Sequence, residues 1–258
     1  MKKITFTILL IFIWAVSTVY AANASLVNDT DSSSTTKSNE HSGFADSDLM
    51  LIIQNDKYGF ADKDAHIVIP CSYDLVRLFK GGLASVKKDE KWGFINTSGD
   101  VVIPLIFDDA WAFEEGLAVV KKGEKWGHVN KSGKVVTPLI YDEARVFSDG
   151  MAAVKKGEKW GYVNTSGRLV IPMIYDEIYT FAEGLGLVRK DGKCGFINTS
   201  GDVVIPMIYE DACPFSEGRA PVLTIEKTKD IAIDKWGCID HFGNYTADSD
   251  FVFQFLRF

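Results

Sequence analysis

Histidine is scarce, basic charge is in deficit and long apolar runs are nearly absent, and each shortage removes a class of function. The four histidines, His41, His66, His128 and His241, share no spacing. The four cysteines, Cys71, Cys194, Cys213 and Cys238, fall at intervals unlike the C-x-x-C pairs of zinc sites. No nucleophile elbow or phosphate-binding loop is present. No metal or organic cofactor is therefore expected. Lysine and arginine number 28 against 35 acidic residues, a net charge of −7, which argues against nucleic acid, since phosphate contacts need a positive surface.

The one long apolar run is at the start. "MKKITFTILLIFIWAVSTVYAANA" has two lysines, an apolar stretch from Ile8 to Val16 and then small residues, with Val19-Tyr20-Ala21 as a cleavage site and Ala22-Asn23-Ala24 as a second choice. That is the layout of a secretory signal peptide, assigned to residues 1–22. Residues 23–48, rich in Ser, Thr, Asp and Asn, cannot bury enough apolar surface to offset the entropy of ordering and read as a linker. The expectation is an exported protein, periplasmic or extracellular, with no stable membrane span in the mature chain. Export permits disulfides, and four cysteines leave three full pairings open.

Residues 49–258 are repetitive. "KWGFINTSGDVVIP" begins at Lys91 and returns as "KWGHVNKSGKVVTP" from Lys125 and "KWGYVNTSGRLVIP" from Lys159, with a weaker copy from Lys193. Aligned on the dipeptide after Lys, the landmarks Tyr58-Gly59, Trp92-Gly93, Trp126-Gly127, Trp160-Gly161 and Cys194-Gly195 are each 34 residues apart, and Trp236-Gly237 follows after 42. A fixed period over most of a chain marks a repeat architecture, in which a unit that cannot bury its own apolar face is stacked on its neighbours. Glycines and a proline recur at set places in each unit, and a helical hairpin would lose about 1 kcal/mol per interior Gly and about 3 for the Pro. Short runs rich in β-branched and aromatic residues, "LAVVKK", "KWGFIN" and "VVIPLIYDEA", alternate with turn residues. The fold predicted is all-β, a tandem array of six units of about 34 residues with three strands each. The last strand, apolar on both faces, is expected to be covered on both sides, and its proline implies an edge or a bulge. An open twisted array and a closed six-bladed propeller are both compatible with the period. Three strands per unit, one short of the usual blade, favour the open form.

Lys-Trp-Gly, Asn-x-Ser-Gly, Ile-Pro, Tyr-Asp and Phe-x-x-Gly recur in register over about residues 49 to 255. In these motifs the chain resembles the WG (KWG) repeat family, found in tandem in many bacterial proteins. Tyr58 and Cys194 depart from the Trp, and the unit after Trp236 loses Ile-Pro. The resemblance implies a scaffold or interaction role without a defined reaction.

A Trp repeated in every unit is what packing between units demands, although exposed Trp also stacks on sugars. The acidic pairs Asp108-Asp109, Asp142-Glu143, Asp176-Glu177 and Glu210-Asp211 are neighbours that point to opposite faces of a strand, so they do not converge as a glycosidase pair. They read as turn acceptors. The Asn-x-Ser/Thr matches coincide with a hairpin turn that needs Asn, Ser and Gly for backbone reasons. Two features vary while their surroundings repeat. One is the position two residues before the Phe, occupied by Arg77, Trp111, Arg145, Tyr179 and Cys213, the candidate binding row. The other is the insertion "TIEKTKDIAID", which lengthens one hairpin of the last unit. The expected function is a non-catalytic scaffold binding a protein or an envelope polysaccharide. The alternative is an envelope carbohydrate-active hydrolase using acidic residues not singled out above.

Overall fold

The computed structural model describes residues 48–227, 232–246 and 254–257. The expected signal peptide, residues 1–22, and nearly all of the expected linker, residues 23–48, lie outside them. The described residues form strands, turns and no helix; none of them makes a helix long and apolar enough to cross a membrane.

Six antiparallel sheets follow one another along the chain. The first holds β1 (Met50–Gln54), β2 (Lys57–Ala61) and β3 (Ile67–Tyr73). The second holds β4 (Leu75–Val76), β5 (Leu83–Lys88), β6 (Lys91–Asn96) and β7 (Val101–Phe107), and the third holds β8 (Asp109–Glu114), β9 (Leu117–Lys122), β10 (Lys125–Asn130) and β11 (Val135–Tyr141). The fourth comprises β12 (Glu143–Ser148), β13 (Met151–Lys156), β14 (Lys159–Asn164) and β15 (Leu169–Tyr175), and the fifth β16 (Glu177–Ala182), β17 (Leu185–Lys190), β18 (Lys193–Asn198) and β19 (Val203–Tyr209). The sixth is β20 (Asp211–Ala212), β21 (Ala220–Lys227), β22 (Ala232–Ile239) and β23 (Gln254–Arg257). Each sheet is a meander in sequence order.

The three-stranded unit expected from the sequence holds only for the first sheet; the others have four strands. The extra strand comes from "DDAWAFE" and its equivalents, which the sequence reading ran into the end of the preceding strand. The chain breaks at Asp108, whose carboxylate accepts the Gly123 N–H at 2.6 Å, and Asp142 holds Gly157 in the same way at 2.7 Å. That bond turns the backbone, and the residues after it pair with the second strand of the next sheet.

Five clusters of buried side chains lie among the described residues, each between one sheet and the next. None joins the sixth sheet to the first, so the array is open. The spine of these interfaces is a repeated ring contact. Phe60 meets Phe79, Phe94 meets Phe113, His128 meets Phe147, Tyr162 meets Phe181 and Phe196 meets Phe215, with centroids 4.8–4.9 Å apart and inclined rings. The first ring sits two residues after the Trp position of one sheet, held by Tyr58 in the first sheet and Cys194 in the fifth, and the second is the Phe of Phe-x-x-Gly in the following sheet. Each such contact adds about 0.5–1.5 kcal/mol beyond the burial itself.

The glycine of Lys-Trp-Gly is required by a close approach. Between β10 and β11 the register passes from Trp126↔Tyr141 to His128↔Thr137, four residues on one strand against two on the other. The extra residues include Pro138, so the proline occupies both an edge strand and a bulge. The bulge drives backbone onto the third strand: a Cβ on Gly127 would lie 2.5 Å from the Thr137 carbonyl oxygen. Because the fourth strand is an outer edge, it is not covered on both sides as expected. Val101, Val102 and Ile106 are exposed, while Ile103 and Phe107 are buried against the neighbouring sheet.

Candidate functional site

The variable row lies on the first strands of successive sheets. Trp111 stands in β8, Arg145 in β12 and Tyr179 in β16; Arg77 directly follows β4 and Cys213 directly follows β20. In β8 the register passes from Ala110↔Val120 to Phe113↔Ala118, two residues against one, and Trp111 is the first residue of that bulge. Arg145 and Tyr179 occupy the same place in β12 and β16. A bulge leaves its residue unpaired and re-aims the side chain, which frees this position to vary while the flanking Ala110 and Phe113 stay buried. The first strands of neighbouring sheets also touch, β8 with β12 and β12 with β16, whereas among the described residues the fourth strands make no comparable contact. The sheets therefore converge on the side that carries the row.

Arg77 and Trp111 are brought together. The Arg77 guanidinium lies 4.9 Å from the centroid of the Trp92 ring and 5.2 Å from that of Trp111, and Nη2 reaches Asp109 at 3.4 Å. Trp111 is 40% exposed. Arg145 is exposed, stacks over Trp160 at 4.6 Å and donates from Nη1 to the Ile178 carbonyl at 3.0 Å, one residue before Tyr179. Tyr179 is half-buried against the cluster between the fifth and sixth sheets; burial raises its phenol pKa. Among the described residues no ring contact joins Trp111 to Arg145 or Arg145 to Tyr179. The row thus holds two arginines stacked on tryptophan rings, with the exposed Trp111 and the half-buried Tyr179, groups able to hydrogen-bond and to stack.

Partners of the row escaped the sequence reading. The second acid of each pair lies beside it: Asp109 with Arg77, Glu143 with Lys155 at 2.8 Å, Glu177 with Arg189 at 3.1 Å, and Asp211 with Arg189 at 2.8 Å. The bases Lys121, Lys155 and Arg189 recur at the period of 34, a signal that aligning the units on that column would have exposed. The first acid of each pair has a separate task. Asp108, Asp142, Asp176 and Glu210 pair with Lys91, Lys125, Lys159 and Lys193 of the third strand. The lysine hydrogen bond is the main reason the carboxyls of Asp108, Asp142 and Asp176 lie below the usual range. The reading of these acids as turn acceptors agrees with the bonds to Gly123 and Gly157. Asn96 behaves as expected too, its Oδ1 accepting the N–H groups of Ser98 and Asp100 at 3.0 and 2.9 Å.

Trp92 and Trp160 are buried between sheets and Trp126 is half-buried, as packing residues should be. All four cysteines are free thiols; Cys194, in the Trp position, is fully buried and its pKa is pushed up to about 11 by that burial. One cluster of possible metal ligands occurs among the described residues, Asp62, Asp64 and His66. It coincides with the turn that Asn96 forms elsewhere: Asp62 Oδ1 accepts the Asp64 and His66 N–H groups.

The WG containing repeat matches residues 58–92, 92–126, 126–160, 160–194 and 195–224. The chain belongs to the WG repeat family. No match was found among curated proteins. Solved structures similar to this WG repeat chain include the eukaryotic initiation factor, at 9% identity and TM-score 0.44, covering 79% of this chain and 72% of that one. Dihydro-heme d1 dehydrogenase NirN is similar at 10% identity and TM-score 0.37, over 77% of this chain and 63% of that one. The extracellular domain of the putative hybrid two-component system BT3049 from B. thetaiotaomicron is similar at 11% identity and TM-score 0.35, over 80% and 34%. At these scores the likenesses carry no argument about what the WG repeat array does.

Proposed function

We propose that this chain is an exported, non-catalytic interaction scaffold whose row of Arg77, Trp111, Arg145 and Tyr179 receives a protein or an envelope polysaccharide. The observation that carries the reading is the bulge. It places the variable residues at one register position on the side where the sheets converge, while the framework around them stays fixed. Repeat arrays use such inner surfaces for extended partners. Export rests on the signal-like start of the sequence. Absence of catalysis is the reading that suits acids engaged in ion pairs and turns.

The test is capture of envelope extract and of purified cell-wall polysaccharide on immobilised protein. The double variant Trp111→Ala/Arg145→Ala is compared with the unaltered chain, and hydrolysis of the same polymers is followed in parallel. Loss of capture at unchanged melting temperature supports the reading. Turnover that a single carboxylate substitution abolishes would favour the hydrolase instead.

A further inference from the structure

The joint between the third and fourth sheets differs from the others in its chemistry. Where the last two strands of the first, second, fourth and fifth sheets pair, the facing core residues are Phe60 and Ile69, Phe94 and Ile103, Tyr162 and Ile171, and Phe196 and Ile205. In the third sheet the pair is His128 and Thr137. Both members have become polar at once, and both are 0% exposed. Tyr162, the other ring with a polar atom, directs its hydroxyl to the Tyr179 carbonyl.

His128 Nε2 lies 2.9 Å from the Arg145 carbonyl oxygen of the fourth sheet. A carbonyl oxygen only accepts, so Nε2 carries the proton. Burial pushes the imidazole pKa down to about 4, so the ring is neutral near pH 7 and Nδ1 presents a bare lone pair. Among the described residues neither that atom nor Thr137 Oγ1 has a hydrogen-bond partner. Leaving two such atoms dry would cost about 1–3 kcal/mol each. As opposed residues they project from the same face of the sheet, with Cβ atoms about 4.5–5.5 Å apart. Relative to Phe and Ile, His and Thr each have one fewer non-hydrogen atom, which leaves room of the order of one water, about 30 Å³ in the liquid.

We propose that His128 and Thr137 form a binding site for a single internal water, which donates to His128 Nδ1 and accepts from, or donates to, Thr137 Oγ1. The water completes the hydrogen bonding of both side chains at the joint where both members of the facing pair are polar.

Two measurements test the site on the folded chain. A crystal structure that resolves ordered water is expected to show one molecule within hydrogen-bond distance of both atoms. A direct bond from Oγ1 to Nδ1, or no water at either atom, overturns the proposal. Independently, Thr137→Val keeps the shape and removes the hydroxyl. It is expected to lower the folding equilibrium constant roughly fivefold, the net effect of one hydrogen bond, and to raise it or leave it unchanged in a His128→Phe background, where no lone pair needs the water. A Thr137→Val substitution that stabilises both backgrounds sinks the idea. Should His128→Phe fail to fold, the water density decides alone.

Discussion

Single residues set the local backbone, and two of them make opposite predictions. In the turn between third and fourth strands, Gly99, Gly133, Gly167, Gly201 and Gly243 have φ of 79–90°. In the three-stranded first sheet the equivalent turn joins β2 to β3, and the position is Ala65, at φ 63°. Side chains here meet the preceding sheet: a Cβ on Gly99 would lie 3.3 Å from Ile69. The first sheet has no described neighbour on that side, so Ala65 meets no clash, yet it keeps the strain of a left-handed conformation. Ala65→Gly is expected to stabilise the chain by about 1 kcal/mol, the left-handed penalty less the entropy that glycine adds to the unfolded state, read from urea midpoints. Gly127→Ala has the reverse outcome. Its methyl would overlap the Thr137 carbonyl, a backbone atom that cannot swing away, and a loss of more than about 2 kcal/mol is expected in the same measurement.

At the scale of the element, much was legible in the sequence because period and punctuation repeat. All three strands of the first sheet, strands two to four of the second to fifth, their turns, the edge proline and the roles of Asn96 and Asp108 in those turns follow from residues that recur every 34 positions. The first strand was not legible. "DAWAFE" has a bulge where Trp111 sits, which breaks the alternation by which a strand is recognised, and Asp108 interrupts the chain within an apparently continuous run. The exposed face of β7 was misjudged for a related reason: an edge strand and a covered strand can carry the same Val-Val-Ile run, and only the position in the sheet distinguishes them. Burial also ranks the tryptophans. Trp160 is 6% exposed and part of the core between the fourth and fifth sheets, whereas Trp126 is half-buried. Trp160→Ala is therefore expected to cost about 3–5 kcal/mol, and Trp126→Ala distinctly less, in thermal or denaturant unfolding. Of the candidate site, the row itself was visible as variation within a fixed frame. Its stacking on Trp92 and Trp160 was not, since those contacts run between strands whose pairing the sequence left incomplete.

For the whole molecule, the response to acid follows from His128 and the aspartates. The unfolded chain takes up a proton at His128 as pH falls through about 6.5, whereas the folded chain resists until about 4. Unfolding thus binds more protons in that window, and stability declines between pH 6.5 and 4 by up to about 3 kcal/mol. The carboxyls of Asp74, Asp108, Asp142 and Asp176 are held low, so their contribution is present above the ordinary carboxylate range and is lost as pH falls below it. Denaturant midpoints measured from pH 7 to 3 are expected to fall in two stages. His128→Phe should remove the upper stage and leave the lower one. A single stage near pH 4 in the unaltered chain would show that the buried imidazole does not titrate as described.

The turns between first and second strands carry a last consequence. Glu115 accepts the Gly150 N–H at 2.9 Å, Asp149 that of Gly184 and Glu183 that of Gly218, both at 3.0 Å. Each rung takes its acceptor from one sheet and its donor from the next, and acceptor and donor occupy adjacent positions in the same turn. Copying any 34-residue stretch of this region therefore copies half of two rungs, and the new unit closes both with its neighbours. Duplication or deletion of a unit thus leaves this ladder of turn-to-turn bonds intact. The number of units is a variable that heredity can adjust in whole steps, and the length of the proposed binding row would change in the same steps.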